Sequence, residues 1–223
     1  MKQCRSQKIL LIDKQYLPDH ASYILKATIK PRDIVLKSPG ISPLSQDFQV
    51  IQDTGASMST ATQLFLAMYR NQIIGVTGSK GKSTTSSLIY SILQQTTDNV
   101  YLVGNIGISP LQVLVDHTDS IDHTTIFVYE LSSYQLHGLT TSPKYAVITS
   151  LFPDHLDWHG GKDPYYADKL NILRFQDYKS GDWCFISHQA RGVMQNSVIL
   201  DSDRGSRIFI QDRILPLLQN LQI

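Results

Sequence analysis

The densest run of residues able to do chemistry is Gly75-Val76-Thr77-Gly78-Ser79-Lys80-Gly81-Lys82-Ser83-Thr84-Thr85. It lies between an apolar β-type stretch at 73–77 and a helical pattern beginning at Ser83, the context in which a glycine-rich loop cradles phosphate. Glycines let backbone N–H groups turn toward a phosphate chain, and the helix N-terminus adds positive dipole. Lys82 has the length to reach terminal phosphates, and the Ser83 hydroxyl suits Mg²⁺. The expected chemistry is binding of a nucleoside triphosphate through Gly78, Ser79, Lys80, Gly81, Lys82, Ser83 and Thr84. The usual spacing places a glycine at 76, where Val76 stands; the glycines here are at 75, 78 and 81. A plain glycine-rich turn is the alternative, and the intact Gly81-Lys82-Ser83 weighs against it.

Three further constellations follow. Glu130, the only glutamate in the chain, comes after an apolar run at 126–129. A carboxylate at the carboxyl end of a parallel strand faces the crevice where such sheets bind ligands, so Glu130 is a candidate for holding phosphate-bound Mg²⁺. An exposed strand-end acid is the equal alternative. Asp154-His155-Leu156-Asp157-Trp158-His159 suggests a metal. His155 and His159 are four apart, but no third soft ligand is spaced to complete a zinc site. Lys169 shares a predicted helical face with Tyr165, Ile172 and Leu173, for which a half-buried lysine with its head in water is the bland explanation. Asn105-Ile106-Gly107 is a weaker signal, a turn more often than a site.

These residues need a scaffold, and the pattern around them supplies an α/β one. Strands are expected at 9–12, 33–36, 48–51, 73–77, 100–103, 126–131, 146–149, 183–186 and 208–210, with a short apolar segment at 215–223. Helices are expected at 60–70 with Ser59 as N-cap, at 83–95 with Leu88, Ile89, Ile92 and Leu93 on one face, and at 164–175. For the last of these Asp163 is the expected N-cap and Pro164 the first helical residue. The fold class is therefore α/β: a P-loop-type, mostly parallel sheet flanked by helices, with a smaller, incomplete α/β unit before it. A soft boundary falls near Asn71, dividing 1–70 from 71–223.

Composition narrows the classes. The chain has 223 residues, 42% of them hydrophobic and 17% charged, enough to bury a core and unlike a disordered chain. Lys and Arg number 20 against 19 Asp and Glu, so no overall field argues for nucleic acid or a membrane surface as partner. Cys4 and Cys184 form neither a metal spacing nor a disulfide framework, which points to a reducing, cytoplasmic setting. No apolar run reaches membrane-spanning length, and 9–12 is too short for a signal-peptide core. Charge is uneven: residues 98–170 hold eight Asp, Glu130 and three Lys, a stretch hospitable to a divalent cation.

Taken together, residues 75–85, Gly104-Asn105-Ile106-Gly107, Glu130-Leu131-Ser132-Ser133-Tyr134-Gln135-Leu136, and 153–160 followed by Tyr165 to Lys169 resemble the Mur ligases of peptidoglycan synthesis. Within that family they are most similar to the branch that adds D-glutamate to UDP-N-acetylmuramoyl-L-alanine. Four motifs in order over 73–175 make the resemblance specific. Ser38-Pro39-Gly40-Ile41 resembles a loop of the family's uridine-binding N-terminal domain. The resemblance implies a ligase in which ATP phosphorylates a carboxylate of the nucleotide-sugar substrate and the amine of D-glutamate displaces phosphate. It further implies Lys82 on the γ-phosphate, Ser83 and Glu130 on one Mg²⁺, and His155 with a carbamylated Lys169 on a second. Asn105, Ser132 and His155 would lie beside the nucleotide sugar, and Lys82, His155 and Lys169 are the implied catalytic residues.

Ser150 stands where the family usually has Asn. The opening glycine-rich strand, the adenine-contacting Gly-x-His-Asn segment and the glutamate-binding C-terminal domain are not found. The expectation is a chain shortened at both ends, with a complementing C-terminal fragment as an expected partner if the enzyme is split. Two alternatives stand beside the ligase: a non-catalytic nucleotide-binding remnant, and a folylpolyglutamate synthase-like ligase, against which Glu130-Leu-Ser-Ser-Tyr-Gln-Leu argues.

Overall fold

The structure is a computed structural model that describes residues 9–12, 28–194 and 208–210; Cys4 and the apolar segment at 215–223 lie outside them. Two parallel sheets organise the chain. The smaller consists of β1 (Ile9–Ile12), β2 (Ile34–Lys37) and β3 (Ser57–Ser59) in that order. Its core is Ile29, Val35, Ile41 and Ile51.

Residues 48–51, expected as a strand, lie in helix α1 (Gln46–Asp53). Ser45 is its N-cap and accepts a hydrogen bond from the Phe48 N–H. Capping and the i, i+3 placement of Phe48 and Ile51 outweighed the short apolar run. β3 was not legible, because Ser57-Met58-Ser59 has little apolar content.

Helix α2 (Ala61–Tyr69) begins at Thr60, one residue beyond the expected cap, with the Thr60 hydroxyl accepting from the Gln63 N–H. Its Phe65 and Leu66 are fully buried in the larger core. There Phe65 meets Phe127 with ring centroids 4.9 Å apart and Tyr129 at 5.7 Å, both edge-on, the arrangement favoured by the ring quadrupoles.

The larger sheet contains β4 (Ile73–Thr77), β5 (Val100–Gly104), β6 (Ile126–Glu130), β7 (Tyr145–Ile148), β8 (Trp183–Ile186) and β9 (Ile208–Ile210). Their order is β5-β6-β4-β7-β8-β9, and every pair is parallel. From β4 the chain crosses to one side for β5 and β6, then to the other for β7. β4 is therefore the switch point, where crevices open at the carboxyl ends of strands. The mostly parallel sheet flanked by helices agrees with the sequence reading.

Helix α3 (Lys82–Leu93) follows β4. Of its expected apolar face, Leu88 and Ile92 are exposed, 59% and 58%, whereas Ser86 on the neighbouring ridge is buried. Short helices α4 (Pro110–Asp116), α5 (Ser133–Leu136) and α6 (Leu156–His159) occupy stretches without a long period. α7 (Lys162–Arg174) starts after Gly161, so Asp163 and Pro164 sit inside its first turn rather than at cap and first position. An acid and a residue without an N–H are both tolerated there. α8 (His188–Met194) lies in what reads as strand-like tail. Cys184 is buried and takes part in no disulfide among the described residues. Among the described residues no helix is long and apolar enough to cross a membrane.

Candidate active site

The phosphate-loop residues sit where β4 gives way to α3, and the loop is stitched to the end of β7. The Ser79 N–H donates to the Ser150 carbonyl at 2.8 Å, the Lys80 N–H to the Ser150 hydroxyl at 2.8 Å, and the Thr149 hydroxyl to the Lys80 carbonyl at 2.6 Å. Gly78 has φ 155°, and a Cβ there would lie 2.0 Å from the Thr149 hydroxyl oxygen. That close approach requires glycine. Gly81, at φ 85°, turns the chain into α3. The Lys82 ammonium donates back to the carbonyls of Gly78, at 2.9 Å, and Ser79, at 3.2 Å. Ser83 and Thr84 are exposed on the first turn of α3, and Lys80 is exposed on the loop.

Lys169 reaches the same loop from α7. It is 2% exposed, so it is not the half-buried lysine of the bland reading. Its ammonium donates to the Gly78 carbonyl at 2.8 Å and lies 5.2 Å from the centre of the Tyr165 ring. Burial, with a smaller push from Lys82, brings its pKa from the usual 10.5 down to about 7. Tyr165 is anchored by a 2.7 Å hydrogen bond to the Ser79 hydroxyl, and burial pushes its phenol up to about 12.

Glu130 is the last residue of β6 and is fully buried, which removes the exposed-acid alternative. One carboxylate oxygen accepts from the Asn105 amide at 2.9 Å. The other is buried without a hydrogen-bond partner among the described residues. An orphaned buried carboxylate oxygen is costly, and this environment fits a cation.

The structure separates the two histidines. His155 is exposed, adopts φ 49°, and stacks obliquely on Tyr134 with centroids 5.1 Å apart. Left-handed backbone at a residue other than glycine costs on the order of 1–3 kcal/mol and clusters at ligand sites. His159 is buried with both ring nitrogens engaged, Nδ1 with Asp168 at 2.7 Å and Nε2 with the Ser133 hydroxyl at 3.0 Å. Burial lowers its pKa despite Asp168. Among the described residues no three of His, Cys, Asp or Glu are grouped to hold a metal.

A cavity of about 130 Å³ brings together Gly78, Ser79, Lys82, Asn105, Ser132, His155 and Lys169. Glu130 adjoins it through Asn105. Lys80, Gly81, Ser83 and Thr84 lie on the loop and first helical turn but do not line it. Sequence reasoning missed Asp168, which joins His159 to His137 at 3.0 Å; its position just before Lys169 was the available signal. The Ser38-Pro39-Gly40-Ile41 loop docks beside the cavity, where Trp158 Nε1 donates to the Gly40 carbonyl at 3.4 Å and the Ser42 hydroxyl to the Trp158 carbonyl at 2.8 Å.

Residues 76–193, which carry the phosphate loop, Glu130, His155, His159 and Lys169, match the Mur ligase middle domain. The chain belongs to the Mur ligase family. It is similar to a UDP-N-acetylmuramoyl-L-alanine--L-glutamate ligase of Micromonospora sp., 42% identical over 147 residues that cover 66% of this chain and 31% of that protein. It is also similar to a UDP-N-acetylmuramoylalanine--D-glutamate ligase of Borreliella burgdorferi, 34% identical over 189 residues, 82% of this chain and 40% of that one. The chain thus spans less than half the length of these curated relatives. Among solved structures it shares a fold with the UDP-N-acetylmuramate:L-alanyl-gamma-D-glutamyl-meso-diaminopimelate ligase of Neisseria meningitides, with TM-score 0.54 and 15% identity over 91% of this chain and 69% of that chain. In this Mur ligase chain the sites expected from sequence therefore fall within the matched residues.

Proposed function

We propose that the chain is the ATP-binding part of a ligase of peptidoglycan precursor synthesis that joins D-glutamate to UDP-N-acetylmuramoyl-L-alanine. A carboxylate oxygen of the nucleotide sugar attacks the γ-phosphorus of ATP and ADP leaves. The amine nitrogen of glutamate then attacks the acyl carbon, and an amide forms as phosphate and a proton depart. Phosphoryl transfer of this kind asks the protein for position and charge rather than covalent work. Residues 1–70 would serve the nucleotide sugar and 71–223 the ATP, in the cytoplasm.

Lys82 would hold the γ-phosphate, with Gly78, Ser79, Lys80, Gly81, Ser83 and Thr84 cradling the phosphate chain. Asn105 and Ser132 would sit beside the nucleotide sugar. Ser83 and Glu130 would bind one Mg²⁺. His155 and Lys169 would bind a second, with Lys169 converted by CO₂ to an anionic carbamate and a proton released. The low pKa of the buried amine supports that conversion, because only the neutral amine reacts. When bound, Mg²⁺ neutralises the negative charge that accumulates on the transferred phosphoryl oxygens.

The observation that carries this reading is the convergence of three strand ends: the loop after β4, the half-paired Glu130 carboxylate ending β6, and the Thr149-Ser150 brace after β7. Both glutamate enantiomers occur in the names of the relatives, the L-specific one at 42% identity over 66% of this chain and the D-specific one at 34% over 82%. The test is to incubate the chain with Mg-ATP and UDP-N-acetylmuramoyl-L-alanine in the presence of hydroxylamine. An acyl phosphate yields a hydroxamate and ADP. ATP bound without either product would leave a nucleotide-binding module and overturn the ligase reading.

A further inference from the structure

Four side chains that the proposed reaction leaves without a part form a line behind the cavity: His137, Asp168, His159 and Ser133. His159 Nδ1 lies 2.7 Å from one Asp168 carboxylate oxygen, and His137 Nδ1 lies 3.0 Å from both. His159 Nε2 lies 3.0 Å from the Ser133 hydroxyl. A carboxylate, an imidazole and a serine in this order can activate a nucleophile. Here, however, Ser133 is 3% exposed and the His159 side chain is wholly buried, which suits holding a structure rather than attacking a substrate.

The protons along this line can be placed. Burial lowers the pKa of His159, so above neutral pH its ring is uncharged and carries one N–H. A carboxylate accepts and does not donate, and it stands 2.7 Å from Nδ1, so the proton belongs on Nδ1. The opposite tautomer would set a ring lone pair against a carboxylate in a buried site, where such mismatches are costly. Nε2 is then bare, and the Ser133 hydroxyl donates to it.

Each link sits on a different helix beside a residue of the cavity. Ser133 opens α5 and follows Ser132, His159 closes α6, and Asp168 precedes Lys169 on α7. His155 is the N-cap of α6, and its carbonyl accepts from the His159 N–H at 3.4 Å. Ser132, His155 and Lys169 all line the cavity, so side chains lying behind them tie them to one another. We infer that Asp168 is a positioning residue: by fixing the Nδ1–H tautomer of His159 it makes Ser133 the donor, joins α5, α6 and α7, and sets the separations of Ser132, His155 and Lys169. Misplacing cooperating groups by about 1 Å costs on the order of a hundredfold in rate.

Asp168→Leu removes the acceptor and keeps a branched side chain, while the Asn171 amide, donating to the Leu136 carbonyl at 2.9 Å, still ties α7 to α5. In that variant a proton on Nδ1 would be buried without a partner, whereas one on Nε2 can donate to Ser133, so the tautomer should switch. Asp168→Asn keeps a carbonyl oxygen for His159 and should retain the wild-type tautomer. The 223-residue chain labelled with ¹⁵N-histidine is read at pH 8 by long-range ¹H–¹⁵N correlation, with His159 assigned by loss of its signals in His159→Gln. Hydroxamate formation with Mg-ATP and UDP-N-acetylmuramoyl-L-alanine supplies the kinetic half, which rests on the ligase reading above. Asp168→Leu should lower kcat at least about tenfold with KM for Mg-ATP nearly unchanged, because the phosphate loop lies on other elements, and Asp168→Asn should recover most of kcat. Nε2–H in wild type, an unswitched tautomer in folded Asp168→Leu, or a switch with undiminished kcat would each overturn the proposal. No hydroxamate from wild type would refute the ligase reading instead, and a switch in Asp168→Leu with retention in Asp168→Asn would still support the role of Asp168. The wild-type spectrum can overturn the proposal even if the leucine variant does not fold.

Discussion

Replacing Lys169 by Met removes a buried amine while keeping most of its side-chain volume, which isolates the electrostatic consequence of its burial. The amine titrates near 7 in the folded chain and at 10.5 when exposed. Between those values the unfolded chain holds a proton on Lys169 that the folded chain does not. Stability therefore rises with pH across that window, at up to about 1.4 kcal/mol per pH unit for one proton. Below pH 7 both states are protonated and the whole net cost of burying the ammonium, on the order of 5 kcal/mol, is present. From pH 7.5 to 9 the wild type should gain about 2 kcal/mol relative to Lys169→Met. Urea unfolding of both proteins at several pH values, in buffer freed of CO₂ so that no carbamate forms, measures this directly. A stability difference flat across that range would show that the amine stays charged, and the argument from burial would fail.

Two further outcomes follow from the loop and its neighbour. Gly78→Ala should destabilise the chain by at least about 2 kcal/mol in urea unfolding, since its Cβ would lie 2.0 Å from the Thr149 hydroxyl oxygen and 2.9 Å from the Ser150 nitrogen; an unchanged midpoint would mean that the loop is held differently. With ¹³C-bicarbonate at pH 8, wild type should show a carbamate resonance that Lys169→Met lacks, and bicarbonate should strengthen Mg²⁺ binding only in wild type. If nucleotide and Mg²⁺ bind without that resonance, Lys169 is a packing and hydrogen-bonding residue here.

The elements that position the site were legible where local pattern and tertiary demand agree. Ile73-Ile74-Gly75-Val76-Thr77 reads as a strand and forms one because it lies mid-sheet between β6 and β7. Lys82 onward reads as a helix because Gly81 supplies the turn into it. Phe48-Gln49-Val50-Ile51 misled because four residues of mixed apolar character do not fix a period, and the Ser45 cap decided for helix. Leu88 and Ile92 misled because apolar residues on a helix do not say which ridge meets the sheet.

At the site, the loop was legible from type and spacing, whereas Lys169 read locally as a half-buried lysine and entered the site only through the family resemblance. The depth of Glu130 was not legible, since burial at a strand end depends on what covers it. The chain His137, Asp168, His159, Ser133 joins residues up to 35 positions apart through side-chain hydrogen bonds, which no local spacing encodes.

The central claim is that the loop from Gly78 to Thr84 holds the phosphates of ATP with Lys82. Calorimetric titration of Mg-ATP into wild type and Lys82→Ala, with thermal unfolding of both to establish that the variant is folded, tests it most directly. Lys82 is half-buried, and its visible bonds are to two loop carbonyls, so its removal should leave the fold intact. Saturable binding to wild type and an affinity lower by about ten- to a hundredfold in Lys82→Ala are expected, the worth of a charge-assisted contact to phosphate. Undiminished affinity in a folded Lys82→Ala, or no binding of Mg-ATP to wild type, would contradict it.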